Sequence, residues 1–527
     1  MSKITGKVNY KQVLKGDTGF TYEQHVTTDG VLYWSNNGNL PNPLPVNIKG
    51  KNGDMVQEEE INMIKEKIEK NVYHYSNISE LKKANLKIGN VCETLGYYHI
   101  EDGGGATYYI SDNFSGIGYQ KLNNGLYANL IVGKNKKINV LKLGVKRNVE
   151  INQSDVVNKI LNNDPKLILY FPSGYYYFNK GIINNKRHDI IGDVVTTGDF
   201  DKNLNGTRFI FNNVEENTIL LDCYNGSRVT IQDIYIISNN VQITEDRNIH
   251  STDGSPVDMF TINKIRDNII GLKIGLFGNT VNNVSIQGCN IGLEGNTYNS
   301  LNNISVLECE TGIVILNDNQ LTNLKIIRNV IGLSIRGSLN TIVNYRCDSI
   351  KEYGIKTDFH ANSNNILGYV GDWCQYGGAF INSDNNYISG YIGRCGTYYS
   401  NAEKGTADEP EKACLFYLKN CNNNRIDIIN NYESVGDNSN DIVKTPSYIF
   451  VLGEGGSNNG NNITITGNFD ISTEKTLTLE ELNFIWKLNG SYGTNFINIY
   501  GTQYRIKSST GIYSKENIYQ TSLINYK

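Results

Sequence analysis

Residues 302–315, NNISVLECETGIVI, are the middle copy of a repeat that decides the fold. The preceding copy, from residue 282, reads NNVSIQGCNIGLEG, and the following copy, from residue 322, reads TNLKIIRNVIGLSI. The copies are evenly spaced, and one column of asparagines and one of glycines mark their register: Asn283, Asn303 and Asn323, with Gly292, Gly312 and Gly332. The spacing then widens and becomes less regular, which pairs Asn344 with Gly354, Asn365 with Gly378 and Asn386 with Gly396.

A period in the low twenties with alternating apolar residues restricts the fold class. Pairs of helices need longer repeats, and leucine-rich repeats carry a leucine and asparagine pattern that these copies lack. Alternation such as VSI, ISV and LKI predicts short strands. Glycine and asparagine suit the corners, where the backbone turns at positive φ. The sequence therefore predicts an all-β protein built on a right-handed parallel β-helix.

The composition of the 527-residue chain excludes several classes of function. Charged residues make up 19%, the net charge is -4 and no basic stripe occurs, which argues against a nucleic-acid partner. No apolar run is long enough for membrane insertion. The first residues lack the apolar core of a signal peptide, so we expect synthesis in a cytoplasm without export by the general route. Nine cysteines without a C-x-x-C pair predict reduced, buried thiols.

Two segments precede the head of the predicted β-helix. Residues 1–54 predict a small N-terminal module with a hairpin turned at Asp29 and Gly30, of a size usual for a linker or for attachment to a larger assembly. Residues 55–75 predict a short coiled-coil helix, whose core residues are Ile61, Ile64 and Ile68. Isoleucine at both core positions favours three strands, which predicts a homotrimer. Two heptads are marginal alone, so a single helix packed on its own domain is the alternative.

The remaining chain divides into three further segments. Residues 76–138 predict a small β head domain, and its triple glycine lacks the lysine and hydroxyl residue of a phosphate loop. Residues 139–462 predict the β-helix. Residues 463–527 predict a β-rich cap, which is either a trimer clasp or the receptor-binding tip. Within this cap, TLEELNFIWKL at 478–488 predicts a short helix.

Several stretches resemble a known family. TLGYYHIEDGGGATYYI with LNNGLYANLI resembles the head segment of phage tail fibres and tailspikes. LKLGVKRN with KLILYFPSGYYYF resembles the entry of the pectate-lyase-like β-helix that follows such heads. DGVLYWSNNGNLPNPLPVNIKG is similar to N-terminal segments on tail proteins of phages and phage-tail-like bacteriocins from low-GC Gram-positive hosts. The resemblance covers residues 16 to about 460 and departs at 146–150, where KRNVE replaces a run of glycine and aspartate.

Cleavage of a glycan on a β-helix would require either paired carboxylates, about 5 Å or 6.5–9.5 Å apart in glycosidases, or a cation-supported base for β-elimination. Side chains one coil apart are ~4.8 Å apart. Aligning Gly354 with Gly378 places Asp348 beside Asp372 on adjacent coils, and Glu433 is an isolated third candidate. Asp348 also fits the simpler role of a turn cap.

Glu308 and Glu310 form a second acidic pair on one face. The repeat aligns Glu308 with Arg328 in the next coil, which predicts a surface ion pair of small energetic value. The six histidines are scattered without metal-ligand spacing. The stretch HSTDGSPVD, from residue 250, lacks the spacing of a calcium loop. The sequence thus predicts no metal and no cofactor.

Aromatic residues around an insertion in the repeat predict a binding surface. The insertion lies between Cys395 and Cys414 and carries charged residues. Exposed tyrosine and tryptophan give large contact area at low entropic cost, although core or trimer packing is the alternative. The candidate receptor-binding residues are Trp373, Tyr376, Tyr398, Tyr399 and Tyr417.

Together these features favour a binding protein over an enzyme. The resemblance implies a homotrimeric tail fibre of a phage or phage-tail-like bacteriocin, joined to a tail or baseplate protein through its N-terminus. It also implies that the protein is made in the host cytoplasm, becomes part of the particle tail and is released by lysis. Its receptor would be a surface-layer protein or a wall polysaccharide. The alternative is a tailspike depolymerase, a glycoside hydrolase or polysaccharide lyase that cleaves a surface glycan.

Overall fold

The computed structural model describes residues 72–163, 166–193, 206–245, 260–358, 360–392, 414–431 and 460–472, together with the backbone of strands outside these ranges. The chain forms two compact units, Met1–Tyr73 and His74–Lys527.

The first unit contains a four-stranded antiparallel sheet in the order β1-β2-β3-β4. Val26 pairs with Leu32 across β2 and β3, so the predicted hairpin is confirmed by its two strands, while Asp29 and Gly30 lie outside the described residues. The coiled-coil residues Ile61, Ile64 and Ile68 lie outside the described residues, and the coiled coil stays a prediction. The strands are β1 Leu14–Lys15, β2 Thr21–Val26, β3 Val31–Asn36 and β4 Val46–Asn47.

The head of the second unit is a five-stranded sheet in the order β5-β6-β7-β9-β8, with one short helix. Ile78 and Leu81 of the helix are buried against the sheet. The elements are β5 Val72–Tyr75, α1 Ile78–Lys83, β6 Val91–Thr94, β7 Ala106–Ser111, β8 Gln120–Lys121 and β9 Tyr127–Leu130.

A carboxylate explains the triple glycine of the head. Asp102 accepts backbone N–H groups from Tyr97 at 3.0 Å, Tyr98 at 2.6 Å, His99 at 3.2 Å and Gly104 at 2.7 Å. Burial raises the pKa of Asp102, but these donors outweigh burial and leave its pKa lowered. The backbone N–H groups of this loop therefore bind the carboxylate of Asp102.

The rest of the second unit is a parallel β-helix, as predicted. Successive coils pair in parallel from β10 to β37, in the order β10, β11, β14, β17, β21, β23, β25, β27, β28, β29, β31, β34, β37. The strands before the repeat are β10 Lys137–Asn139, β11 Ile168–Tyr170, β12 Gly174–Phe178, β13 Ile182–Ile183, β14 Asp189–Ile191, β15 Thr207–Phe211, β16 Ile219–Cys223, β17 Thr230–Ser238, β18 Val241–Glu245 and β19 Phe260–Lys264. Those of the repeat are β20 Ile270–Ile274, β21 Thr280–Gln287, β22 Ile291–Gly295, β23 Ser300–Leu307, β24 Thr311–Ile315, β25 Gln320–Ile327, β26 Ile331–Ile335, β27 Thr341–Thr357, β28 Asn365–Ile381, β29 Tyr387–Ile392, β30 Cys414–Lys419 and β31 Arg425–Asn431.

The remaining strands are β32 Tyr448–Leu452, β33 Ser457–Asn458, β34 Asn462–Ser472, β35 Ile485–Lys487, β36 Ser491–Tyr492, β37 Phe496–Ser508, β38 Gly511–Ser514 and β39 Gln520–Leu523. The parallel pairing continues past residue 462 to β37, after which β38 and β39 pair antiparallel with β37. The predicted helix at 478–488 is wrong over Ile485–Lys487, which is the strand β35 paired with β32. Pairing with the strand of the preceding coil outweighs the helical spacing of the apolar residues there.

The entry of the β-helix contains one α-helix, α2, Ser154–Leu161, and a 3-10 helix, Val140–Leu143. The N-cap position of α2 is Gln153, whose side chain makes no capping hydrogen bond. The Ser154 hydroxyl accepts the backbone N–H of Lys180 at 3.1 Å and so ties the first turn of α2 to the β-helix. No helix in the described part of the chain is long and apolar enough to span a membrane.

Each coil of the repeat has three straight segments. In β21 a left-handed residue, Asn283 at φ 53°, separates a first segment at 280–282 from a second at 284–287, and β22 is the third. Asn303, Asn323 and Asn344 occupy the same bend in the next coils with φ 55–56°. The asparagine column of the sequence is therefore a column of positive-φ bends.

The glycine column has a different cause from the one the sequence suggests. The repeated glycines are absent from the positive-φ positions; they are needed because backbones approach closely. A Cβ on Gly312 would lie 2.6 Å from the Gly332 carbonyl oxygen and 2.7 Å from Ile326 Cγ2. The seven cysteines that the structure describes with side chains are free and buried, in line with the predicted reduced thiols.

A second asparagine column, inside the coil, holds the turns together. Each member donates its Nδ2 to the Oδ1 of the next, at 2.8–3.2 Å. Each is at most 2% exposed. The members are Asn279, Asn299, Asn319, Asn340, Asn364, Asn386, Asn424 and Asn461. Asn386 thus belongs to this inner ladder, and Asn365 pairs with Thr341, so the sequence alignment beyond Asn344 is corrected by the structure.

Candidate functional site

Carboxylates gather at the corner where the second segment of a coil turns into the third strand. We call this surface the acidic corner; its carboxylates belong to Glu308, Glu310, Asp348, Glu352 and Asp372. Cationic side chains lie among them. Residues at equivalent positions of successive coils are one strand spacing apart, so opposite charges can pair between coils.

Asp348 and Asp372 are direct partners across β27 and β28. This register is the one that the sequence predicts, although the glycines used to derive it are offset by one: Ile355 pairs with Gly378 after a shift between Ile350 and Tyr353. Asp348 lies 3.5 Å from Arg346 and accepts the Ser349 hydroxyl at 2.9 Å. The two carboxylates therefore sit one rung apart, ~4.8 Å between backbones, on a partly exposed surface.

Glu308 and Glu310 have separate partners. Arg328 lies 3.4 Å from Glu308, as the repeat predicts, and Gln287 donates to the other Glu308 oxygen at 2.6 Å. Glu310 pairs with Lys264 at 3.0 Å. Since Glu308 is in the left-handed region at φ 51°, the two glutamates lie on a turn and not on one strand face. This corrects the shared face expected from their i, i+2 spacing.

Glu352 is a candidate that the sequence analysis missed. The backbone N–H of Val330 donates to the Glu310 carbonyl at 3.1 Å, and the backbone N–H of Glu352 donates to the Val330 carbonyl at 2.8 Å. The two glutamates therefore occupy the same position in coils that are two apart. Desolvation is the main cause that raises the pKa of Glu352; Lys356 and Lys351 oppose it, and Glu310 adds to it. A carboxyl with a raised pKa can serve as a proton donor, and Glu352 is exposed at the surface, where a substrate could reach it. The sequence could reveal this pair only by aligning Glu310 with Glu352 two coils further on, with Val330 between them.

An open groove of about 420 Å³ lies along the bend between first and second segments, over the coils of β28, β29, β31 and β34. Its lining combines aromatic, aliphatic, hydroxyl and carboxylate groups: Gly368, Tyr369, Val370, Ser389, Gly390, Tyr391, Asp427, Ile428, Ile429, Thr464 and Thr466. Ile429 is 57% exposed within it. Asp427 is held by Arg425 at 2.7 Å.

The groove opens where the bend column ends. Gly368, at φ 68°, occupies the bend position after Asn344. In the next coil the pairing moves from Leu367 with Ser389 directly to Tyr369 with Gly390, so that coil has no residue at the bend. A Cβ on Gly390 would lie 2.0 Å from the Tyr369 carbonyl oxygen. The shorter coil therefore leaves a recess on the outer surface.

Of the five predicted aromatic residues, Tyr417 is the one whose side chain the structure describes, and it does not line this groove. Tyr417 lies on β30, a third strand that pairs with Ala379 and Val451 on another face. Trp373 and Tyr376 are on β28 by their backbone; their side chains lie outside the described part of the chain. Tyr398, Tyr399 and Glu433 also lie outside the described residues, as does the insertion between Cys395 and Cys414.

The sequence analysis missed the groove because the repeat becomes irregular there. The long step from Tyr387 on β29 to its partner Arg425 on β31 includes the insertion, and it hides the alignment of Ser389 with Asp427. Among the residues that the structure describes, no group of three or more histidine, cysteine, aspartate or glutamate side chains is placed to hold a metal. The stretch from residue 250 to residue 258 lies outside them.

Comparisons with known proteins agree with the architecture. Residues 137–333 match the profile of the family described as rhamnogalacturonase A/epimerase, pectate lyase-like. No curated protein matches the chain in sequence.

Three solved structures illustrate the similarity. Full-length tailspike protein 2 of the Escherichia coli O157:H7 bacteriophage CAB120 has a TM-score of 0.49 and 13% identity, over 86% of this chain and 60% of that one. A tailspike of the Acinetobacter baumannii bacteriophage Fri1, a capsular polysaccharide depolymerase, has 0.44 and 12%, over 80% and 74%. The catalytic unit of an alpha-1,3-glucanase from Streptomyces thermodiastaticus has 0.42 and 11%, over 71% of each chain.

The chain spans 60% of the length of the first of these tailspikes. At these scores and identities no function follows from the likeness. Over residues 137–333 the chain is similar to the pectate-lyase-like rhamnogalacturonase A/epimerase family of proteins.

Proposed function

We propose that the chain is a receptor-binding tail protein of a phage or phage-tail-like bacteriocin that binds a bacterial surface polysaccharide in the groove. The observation that carries the proposal is the groove itself, whose lining runs over four coils and includes Ser389 and Tyr391 of β29 and Asp427 of β31. Ligand sites combine apolar walls with a few polar groups that fix orientation. An elongated recess of this kind suits a linear saccharide better than a compact metabolite.

Three parts of the proposal rest on the sequence alone. Residues 1–54 would attach the protein to a tail or baseplate, and Ile61, Ile64 and Ile68 would hold a homotrimer. Trimeric display would strengthen binding at weak single sites. A surface-layer protein is the alternative receptor, and the insertion between Cys395 and Cys414 is the alternative site.

The acidic corner favours a second function, cleavage of the bound glycan. The in-register pairing of Asp348 with Asp372 gives a backbone separation close to the ~5 Å between carboxyl groups of retaining glycosidases. Glu352, whose pKa is raised, would be an alternative proton donor toward a glycosidic oxygen. The protein would then be a depolymerase as well as an adhesin.

One experiment separates these functions. The full-length protein is mixed with purified capsular, O-chain and wall polysaccharides, and both retained protein and new reducing or unsaturated sugar ends are measured. We expect Tyr391→Ala to weaken binding roughly 30-fold, the effect of removing a hot-spot aromatic of about 2 kcal/mol. Tyr417→Ala, on another face, is the matched control and should bind like wild type. Equal losses in both variants would refute the groove.

The same assay tests cleavage. New sugar ends that disappear in Asp348→Asn, Asp372→Asn or Glu352→Gln would establish a depolymerase at the acidic corner. Asp155→Asn is the control, because the Asp155 side chain lies on α2, outside the acidic corner, and is 77% exposed. Saturable binding without new ends would leave an adhesin and reduce the acidic corner to ion pairs and turn caps.

A further inference from the structure

A third corner of the coil carries an unusual pair of aromatic residues. It is the corner between the third strand of one coil and the first segment of the next. We call it the ladder corner, because each coil contributes its asparagine of the inner ladder there. The residue just before each ladder asparagine is in the left-handed region, with φ between 54° and 71°. In chain order these residues are Gly278, Tyr298, Asp318, Leu339, Ser363, Asn385, Asn423 and Gly460.

Most coils fill this position with residues that tolerate positive φ, namely glycine, asparagine, aspartate or serine. Tyr298, at φ 60°, and Leu339, at φ 63°, are the bulky exceptions, and Phe277 before Gly278 is also left-handed at φ 65°. The fold does not require these residues, since neighbouring coils make the same turn without them. Backbone strain that the fold does not need points to a function.

The two aromatic rings are exposed and nearly parallel. Phe277 is 56% exposed and Tyr298 52% exposed. Their rings stack with centroids 5.6 Å apart and planes inclined by 14°. Backbone hydrogen bonds fix this arrangement, because Phe277 donates to the Thr297 carbonyl at 3.0 Å and Gly278 to the Tyr298 carbonyl at 2.8 Å. The rings therefore belong to adjacent coils of a rigid scaffold.

Charged residues of opposite sign flank the rings in the same corner. Arg228 precedes Phe277, with its N–H donating to the Phe277 carbonyl at 3.1 Å, and Asp318 occupies the coil after Tyr298. An aromatic face with hydrogen-bonding groups on both sides matches a pyranose ring, which has an apolar C–H face and hydroxyl groups at its rim. The balance of charge matches a neutral sugar better than an acidic one.

We propose that Phe277 and Tyr298 form a second saccharide-binding site, in which a neutral pyranose unit of the surface glycan stacks on the aromatic rings between Arg228 and Asp318. This inference rests on the proposed function, since it takes the ligand to be a surface glycan, but it concerns a different corner from the groove. The site would add a second attachment point for a long polymer.

The test uses substitutions that restore the residue type of neighbouring coils. Tyr298→Asn puts into the strained position the residue that Asn385 and Asn423 already provide there, so the variant should melt no lower than wild type. Leu339→Asn makes the same change two coils further on and is the matched control. Binding of the full-length proteins to an array of purified capsular, O-chain and wall polysaccharides is measured, together with melting temperature and molar mass.

We expect Tyr298→Asn to lose at least tenfold in affinity while its melting temperature is unchanged or higher, and Leu339→Asn to bind like wild type. Phe277→Ala should lose affinity to a similar extent. Wild-type affinity in Tyr298→Asn, or an equal loss in Leu339→Asn, would overturn the inference. A change of molar mass at unchanged affinity would also overturn it, and would assign the corner to contact between copies.

The outcomes separate this inference from the proposed function. If wild type binds a polysaccharide and Tyr391→Ala weakens binding but Tyr298→Asn does not, only the second site is refuted. If wild type binds none of the polysaccharides, the proposed function fails and this inference fails with it.

Discussion

Single residues decide where the coils of this chain bend and where the backbones of neighbouring coils can approach closely. Asn283 and its counterparts bend each coil at positive φ, and asparagine is the side chain besides glycine that accepts this region at least cost. The sequence predicted these asparagines as corner residues. It did not predict that Gly312 is needed for a close approach to Gly332, because backbone separation cannot be read from one repeat.

The loop at Asp102 provides a test at the residue scale. Asp102→Asn keeps the size of the side chain but removes the charge that four backbone N–H groups stabilise. We expect a loss of about 1–2 kcal/mol in the free energy of unfolding, reduced from the usual value for charged acceptors because the side chain is partly exposed. Urea denaturation of both proteins at neutral pH measures it.

The lowered pKa of Asp102 also sets a pH dependence. The carboxylate contributes its full stability above its unfolded pKa of about 3.9, and this contribution is lost as the pH falls through the lower folded value. The difference in stability between wild type and Asp102→Asn should therefore shrink on acidification below about pH 4. A difference that stays constant down to pH 2 would contradict this role for Asp102.

At the scale of elements, the inner asparagine ladder is the main device that joins coils. Asn340 accepts from the Asn319 backbone N–H at 2.9 Å and donates to the Leu316 carbonyl at 2.6 Å and to Asn364 Oδ1 at 2.8 Å. The Asn319 and Asn364 groups are buried and the Leu316 carbonyl is partly buried, so little water could replace the lost partner. The ladder therefore couples the stability of each coil to that of its neighbours.

Asn340→Ala should lower the free energy of unfolding by roughly 3–5 kcal/mol, since it leaves two or three buried polar groups unpaired. Asn344→Gly is the matched control in the same coil: Asn344 is exposed, donates to Asn323 at 3.2 Å and has a φ that glycine accepts. We expect that control to cost less than about 1 kcal/mol. Similar melting temperatures for the two variants would argue against the ladder.

Sequence periodicity predicted the elements well where the coil length was constant. Asn303 and Gly312 have counterparts at the same spacing in the copies before and after, and the register of β21, β23 and β25 follows them. Prediction failed where β29 lacks a residue opposite Gly368 and where the insertion lies between β29 and β31, because a shifted column in one coil misplaces all later ones. The groove lies in that region, which is why Asp348 and Asp372 were predicted and Tyr391 was not.

At the scale of the whole molecule, the trimer is the proposal that most changes how the surfaces would act. Three chains of 59.0 kDa joined at Ile61, Ile64 and Ile68 would show three times the monomer mass by light scattering. Replacing Ile61 and Ile64 together with asparagine places two polar groups in the core of each predicted helix, which should reduce the mass to that of one chain. A single-chain mass for wild type would refute the trimer.

The central claim is that a glycan binds along the groove of the β-helix. Hydrogen–deuterium exchange of the full-length protein, with and without the polysaccharide that it retains, tests this claim most directly. We predict slower exchange at 389–391, 427–429 and 464–466, whose residues line the groove. Slower exchange confined to the insertion at 395–414 or to the C-terminal strands, with the groove unchanged, would contradict the account.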